Sequence, residues 1–171
     1  MMDRVETTPR IRTVTPDDLE AVNDIYNHYV RTSHVTFDLD CMTLEHRRAW
    51  LDEHEPDRHP VLVATRDARI VGYASAGRFR ARSGYDTTVE TSVYVDQAAS
   101  GTGVGTSLYA ALFNALAGRD LHRAVAGIAL PNDASIALHI RTGFRQVAHF
   151  TEQGRKFERY WDVAWFERPL I

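Results

Sequence analysis

Residues 92–112 read SVYVDQAASGTGVGTSLYAAL, and no other stretch restricts the possible folds as strongly. A β-branched and aromatic run enters a turn carrying Gly101, Gly103 and Gly105, and Leu108, Leu112 and Leu116 then follow at helical spacing. The chain must therefore pass from strand to helix through a backbone tight enough to need glycine. Such a turn leaves the first N–H groups of the helix free at the positive end of its dipole, which suits a diphosphate. The dinucleotide fingerprint requires a glycine where Thr106 stands, and the nucleoside-triphosphate loop requires a lysine that this stretch lacks. On its own the turn is equally compatible with a tight connection that holds nothing.

The flanking pattern is mixed. A short strand is predicted over 11–14, and Thr15-Pro16-Asp17-Asp18 opens a helix over roughly 16–31. A second helix is predicted over 43–54. Strands follow at 61–64, 70–79 and 87–95, the last running into the glycine turn and a helix ending near Gly118. A strand over 124–130, a helix over 132–142 capped by Asn132, and strands at 144–150 and 156–166 complete an α/β layer fold. With 171 residues and no repeat or linker, the expected organisation is an N-terminal extension over 1–9 and one domain over 10–171.

Composition removes several function classes. The net charge of −3 argues against a nucleic-acid partner, and no long uncharged apolar run suggests a membrane span. One cysteine, Cys41, and a start without an apolar segment point to the reducing cytoplasm. The eight histidines include His54 and His59, but no pair has the helical spacing of a zinc enzyme, so no metal is expected.

Several polar residues can carry chemistry. Glu90 is the one acid in the strand TTVETSVYV, where partial burial would raise its pKa towards a general base; strand alternation equally allows a solvent-facing residue. His139, in SIALHIRTGF, can donate or accept a proton, or simply pack. Arg78, Arg80 and Arg82 would share one face of an extended strand and suit an oxyanionic substrate group, or form a solvated edge.

GTGVG after SVYV, followed by PNDASIALHIRTGF, resembles the GCN5-related N-acetyltransferase (GNAT) family. NHYVRTSHVTF, GRFRARSGYDTTVETSVYV and GRKFERYWDV are similar to its phosphinothricin (bialaphos-resistance) and methionine sulfone or sulfoximine acetyltransferase branch, over about residues 11–167. The resemblance implies a mixed, mostly antiparallel sheet splayed at its centre, with helices on both faces, and acetyl-CoA as co-substrate. It implies CoA contacts from Val93, Tyr94 and Val95 on the strand, from Gly101, Thr102, Gly103, Val104, Gly105 and Thr106 in the turn, and from Asn132 and Ser135. It makes Glu90 and His139 catalytic, and Phe37, Arg80, Gly84 and Tyr85 substrate-binding. It further implies direct transfer to the amine of a small amino acid or analogue, and a homodimer that WDVAWFERPL has the apolar residues to form. A peptide or protein N-terminus as acceptor, and a non-catalytic acyl-CoA-binding module, are the alternatives. The family usually carries Arg or Gln at position 100; Ser100 implies a phosphate site resting on backbone amides, with weaker CoA affinity.

Overall fold

A computed structural model describes residues 8–170, so all but the last two residues of the expected N-terminal extension lie outside the described residues. Seven strands form one sheet in the order β1-β2-β3-β4-β5-β7-β6, over Arg10–Thr13, Val61–Arg66, Arg69–Arg78, Thr88–Val95, Arg123–Ala129, Arg145–Lys156 and Arg159–Pro169 for β1 to β7. Every neighbouring pair is antiparallel except β4 with β5. That parallel pair joins only Thr88–Glu90 to Arg123–Val125. Beyond it β4 stays with β3 as far as Val95, and β5 leaves with β7 as far as Ala129. The sheet is splayed at its centre.

Alternation along the strands sends the two sets of side chains to different helices. Leu62, Ala64, Ala74, Ala76 and Val89 pack with Val104, Leu108 and Leu112 of α3 (Val104–Leu116), which covers one face. Val63 and Tyr73 pack with Val22 and Ile25 of α1 (Leu19–Thr32) on the other face. α4 (Asp133–Arg141) follows β5.

The predicted helix over 16–31 begins as a 3-10 turn, Pro16–Asp18, before α1 proper. Asp18 explains the delay. Its carboxylate accepts from the Thr15 amide and takes both nitrogens of the Arg12 fork, at 2.6 and 2.7 Å, so it pins the chain before the α-helix starts. The second helix, α2 (Leu44–Asp52), is capped by Thr43 Oγ1, which accepts from the His46 amide at 3.2 Å. It brings Arg47, only 2% exposed, into an aromatic cage. The guanidinium carbon lies 4.7 Å from the Tyr26 and Trp50 ring centres, and Nε donates to Asn23 Oδ1. Cation–π contact stabilises this buried charge, which has no ion pair among the described residues.

Two expectations need correction. Arg78, Arg80 and Arg82 do not share a strand face: β3 ends at Arg78, whose Nη2 donates to Asp86 across a 3-10 turn at Ser83–Tyr85. That ion pair folds the chain back before the run can extend. The C-terminal hairpin is longer than its apolar pattern predicts. β6 continues through TEQGRK to Lys156, and the turn is Phe157-Glu158, both in the left-handed region. β6 is an exposed edge, so it shows no buried alternation to read. Of the apolar residues of WDVAWFERPL, Val163, Ala164 and Phe166 are core, while Trp161, Trp165 and Leu170 are partly exposed. The exposed apolar side chains of this hairpin include Val147, Phe150 and Tyr160.

Candidate active site

The splay opens a cleft of about 480 Å³ between β4 and β5, walled by the glycine turn, the start of α3, and α4. Its volume lies within the range of small-molecule sites. Backbone alternation supplies donors at its edge. The Asp96 amide donates to Val71 on β3, so the even-numbered amides of β4 face β3 and the odd-numbered ones face away from it. The His122 amide, arriving from the β5 side, donates to Thr87, consistent with that phase. Val93 and Val95 therefore turn their N–H groups into the gap, while the Val95 carbonyl accepts from Tyr29 Oη at 2.6 Å. The Val93, Tyr94 and Val95 positions all line the cleft.

The glycines of the turn are not equivalent. Gly101 and Gly103 have φ of 76° and 83°, and a Cβ at either would meet nothing, so glycine is there for conformation. Gly105 sits inside the first turn of α3, where a Cβ would come within 3.0 Å of Leu138, so its smallness lets α4 approach. Gly103 caps α3 with no side-chain hydrogen bond. The amides of Val104, Gly105 and Thr106 precede any intrahelical partner and line the cleft mouth as free donors. Thr102 behaves differently: its hydroxyl donates to the Ala99 carbonyl and accepts from Arg66 Nη1 at 3.2 Å, so its side chain serves the turn itself. At the far wall Asn132 Oδ1 accepts from the Ser135 amide at 3.2 Å and caps α4. Asn132 and Ser135 both line the cleft.

Glu90 stands on the α1–α2 face, level with Gly77 and one strand step from Ser92 and then Tyr94. It is half-buried, and burial raises its pKa while the Arg80 charge pulls it down. His139 lies on the other face and is only 3% exposed. Its Nδ1 is 2.8 Å from the Ser135 carbonyl, which can only accept, so Nδ1 carries the hydrogen and Nε2 accepts from Tyr109 Oη at 2.9 Å. Burial lowers the His139 pKa against the Ser135 bond, and burial pushes the Tyr109 phenol up, so both are neutral at pH 7. Tyr109 lines the cleft with His139. The two expected catalytic residues thus flank the opened strands from opposite sides.

The α1–α2 loop is fastened at several points. His34 stacks on Trp161 with ring centres 3.9 Å apart, buried Lys156 donates to the Thr36 carbonyl at 2.8 Å, and the Phe37 ring covers Gly154 so closely that no Cβ fits there. From Gly154 a rim continues through Gln153, which accepts from Trp165 Nε1, then Phe79 on Trp165 and Tyr85 on Phe79. Arg80 lies over the Phe79 ring at 4.8 Å. A chain of contacts thus links Phe37 with Arg80 and Tyr85, and none of the three lines the cleft itself. Gly84 has open space at its Cβ and an ordinary φ, so its contribution is to the 3-10 turn alone. Among the described residues no group of three or more His, Cys, Asp or Glu converges.

Sequence reasoning missed Tyr109, Arg66, Phe79 and Trp165. Tyr109 follows Leu108 in an apolar helix and reads as core, which it also is. Arg66 ends a strand far from the turn in sequence, and only the sheet brings it to Thr102.

The described Acetyltransferase (GNAT) domain family matches residues 11–165 of this chain. Phosphinothricin N-acetyltransferase of Streptomyces coelicolor is 52% identical over 164 residues, covering 94% of this chain and 96% of its own. The L-methionine sulfoximine/L-methionine sulfone acetyltransferase of Salmonella typhimurium is 35% identical over 160 residues, covering 94% of each. Among solved structures, a GNAT superfamily phosphinothricin acetyltransferase from Sinorhizobium meliloti, in complex with AcCoA, superposes with a TM-score of 0.91 at 27% identity, covering 95% of this chain and 89% of that one. A ribosomal-protein-alanine N-acetyltransferase from Brucella melitensis superposes with a TM-score of 0.90 at 39% identity, covering 94% and 99%. A sheet parted beside a glycine-turned helix, shared along nearly its whole length with these proteins, leaves one assignment: the chain belongs to the GNAT acetyltransferase family.

Proposed function

We propose that this protein transfers an acetyl group from acetyl-CoA to the amino group of a small amino acid or analogue, of the phosphinothricin, methionine sulfone or methionine sulfoximine kind. The observation that carries this reading is a cleft lined by free helix amides, the Val93 and Val95 strand edge and His139; half-buried Glu90, under the charge of Arg80, and the aromatic rim lie outside that lining, with Glu90 on the other face of the same strand. The names of the S. coelicolor and S. typhimurium relatives support the acceptor class.

The donor set fits acetyl-CoA. The amides of Gly103 to Thr106 suit its diphosphate, and the Val93 and Val95 edge with Asn132 and Ser135 suits its amide-bearing arm. When bound, acetyl-CoA supplies the activated acetyl thioester. The chain's own residues do the rest. Glu90 takes the proton of the substrate ammonium, and burial raises its pKa in the direction a base needs, against the charge of Arg80. The Val93 or Val95 N–H stabilises charge that develops on the carbonyl oxygen in the gap. His139, with both nitrogens engaged, acts at one remove: it orients the Tyr109 hydroxyl on the side from which the sulfur departs, and the thiolate takes its proton from solvent. Arg80 takes the carboxylate or the phosphinyl, sulfone or sulfoximine oxygens, and Phe37 and Tyr85 bound the side chain.

The fastened α1–α2 loop favours a small amine over a protein acceptor such as the ribosomal-protein alanine in the B. melitensis neighbour's name. A homodimer is proposed through the β6 edge, whose exposed Val147 and Phe150 would be covered. Residues 10–171 are taken as the catalytic domain, and the cytoplasm as its compartment, given one exposed cysteine. The test is a panel of amines assayed for acetyl-CoA-dependent thiol release. Acceptance of methionine sulfone or phosphinothricin is the expected result, and turnover only with peptides would overturn the acceptor class.

A further inference from the structure

His54 follows α2 by two residues and has no part in the reading above. Its backbone amide donates to Leu51 and its ring packs on Trp50, with centres 4.4 Å apart. Nδ1 lies 2.7 Å from the Trp50 carbonyl, which can only accept. Nδ1 therefore holds the hydrogen and Nε2 presents a lone pair. Among the described residues Nε2 has no hydrogen-bond partner. It points at the sheet: the nearest atom to a Cβ built on Gly77 is His54 Nε2, at 3.6 Å.

Gly77 is the cross-strand partner of Glu90. Residues directly opposite in an antiparallel pair project to the same face, with Cβ positions roughly 5 Å apart. His54 Nε2 therefore hangs over the vacant side-chain position beside Glu90, on the face towards which Glu90 projects. Because residue 77 has no side chain, nothing at that position separates imidazole from carboxylate. One water spans such a gap with good hydrogen bonds to both.

We propose that His54 is the proton relay that empties Glu90. The amine's proton passes from the ammonium nitrogen to the Glu90 carboxylate, and from there, through one water, to His54 Nε2. The resulting imidazolium keeps its Nδ1–H on Trp50 and loses the Nε2 proton to solvent from its half-buried position, which restores both groups. The charges around the pair are Arg47 and Glu53 on α2 and its end, His59 beyond it, and Arg80 beside Glu90. Burial holds His54 below its usual pKa, so it is neutral and able to accept at pH 7.

This proposal rests on Glu90 being the base, and the experiment separates the two. His54→Asn keeps a donor for the Trp50 carbonyl and lacks Nε2. It should lower kcat about tenfold, with unchanged KM for acetyl-CoA and an unchanged rise in melting temperature on adding acetyl-CoA. Free imidazole should restore the rate of His54→Ala in proportion to its concentration. A kcat in His54→Asn equal to wild type while Glu90→Gln is inactive overturns the relay and leaves Glu90 standing. A fully active Glu90→Gln removes both. A fall in His54→Asn together with no imidazole response in a folded His54→Ala also overturns the relay, because a packing role gives that pattern.

Discussion

At the scale of single residues, protonation state decides what each group can do. Glu90 must be ionised to accept a proton, and burial raises its pKa. The sign follows: kcat/KM falls as pH drops through that raised value, and Glu90→Gln should lose at least a hundredfold at every pH, together with the acid limb. A Glu90→Gln enzyme that keeps a wild-type pH profile would refute the assignment. Tyr109 is the complementary case. Its hydroxyl donates to His139 Nε2, so Tyr109→Phe should lower kcat roughly tenfold while KM for acetyl-CoA stays near wild type. An equal loss of acetyl-CoA binding, measured by calorimetry, would make Tyr109 a packing residue instead. Glu90 stands out in the sequence as a lone acid in a β-branched strand, and the structure half-buries it. The true surroundings of His139 were not legible, because the Ser135 and Tyr109 bonds depend on how α3 and α4 face one another.

At the scale of elements, the start of α3 combines two demands. Its amides must stay free, and the backbone must turn through the left-handed region to present them. Gly103→Ala forces an L side chain to φ 83°, at roughly 1–2 kcal/mol, although space is available. It should lower the melting temperature by a few degrees and raise KM for acetyl-CoA several-fold with kcat little changed. A raised melting temperature would show that the turn relaxes without penalty. Much of this element was readable in advance: the glycines, the leucine spacing and the Asn132 cap all appear where their local chemistry requires. What the sequence concealed is that Gly105 serves contact with Leu138 rather than the turn. It also concealed that Arg78 folds the next segment back onto Asp86. β6 was legible only in part for a related reason, since an edge strand exposed over most of its length has no need of an apolar rhythm.

At the scale of the molecule, β6 ends the sheet as a 12-residue strand with Val147 and Phe150 exposed. Long exposed edges are normally covered or charged, so the Phe150→Lys variant should shift a dimer to monomer in light scattering, while the Gly103→Ala variant should not. A monomeric wild type at micromolar concentration would remove the dimer.

The parting of β4 from β5 has its own outcome for motion. In a continuous sheet the Val93 and Val95 amides would be locked into a ladder; here neither strand offers them a mate. Their hydrogens should swap with deuterium readily in the empty enzyme and become slow once acetyl-CoA is added, whereas Tyr94, bonded towards β3, should be slow throughout. The molecule is in this sense woven with one thread left out, and the visiting co-substrate is what finishes the cloth.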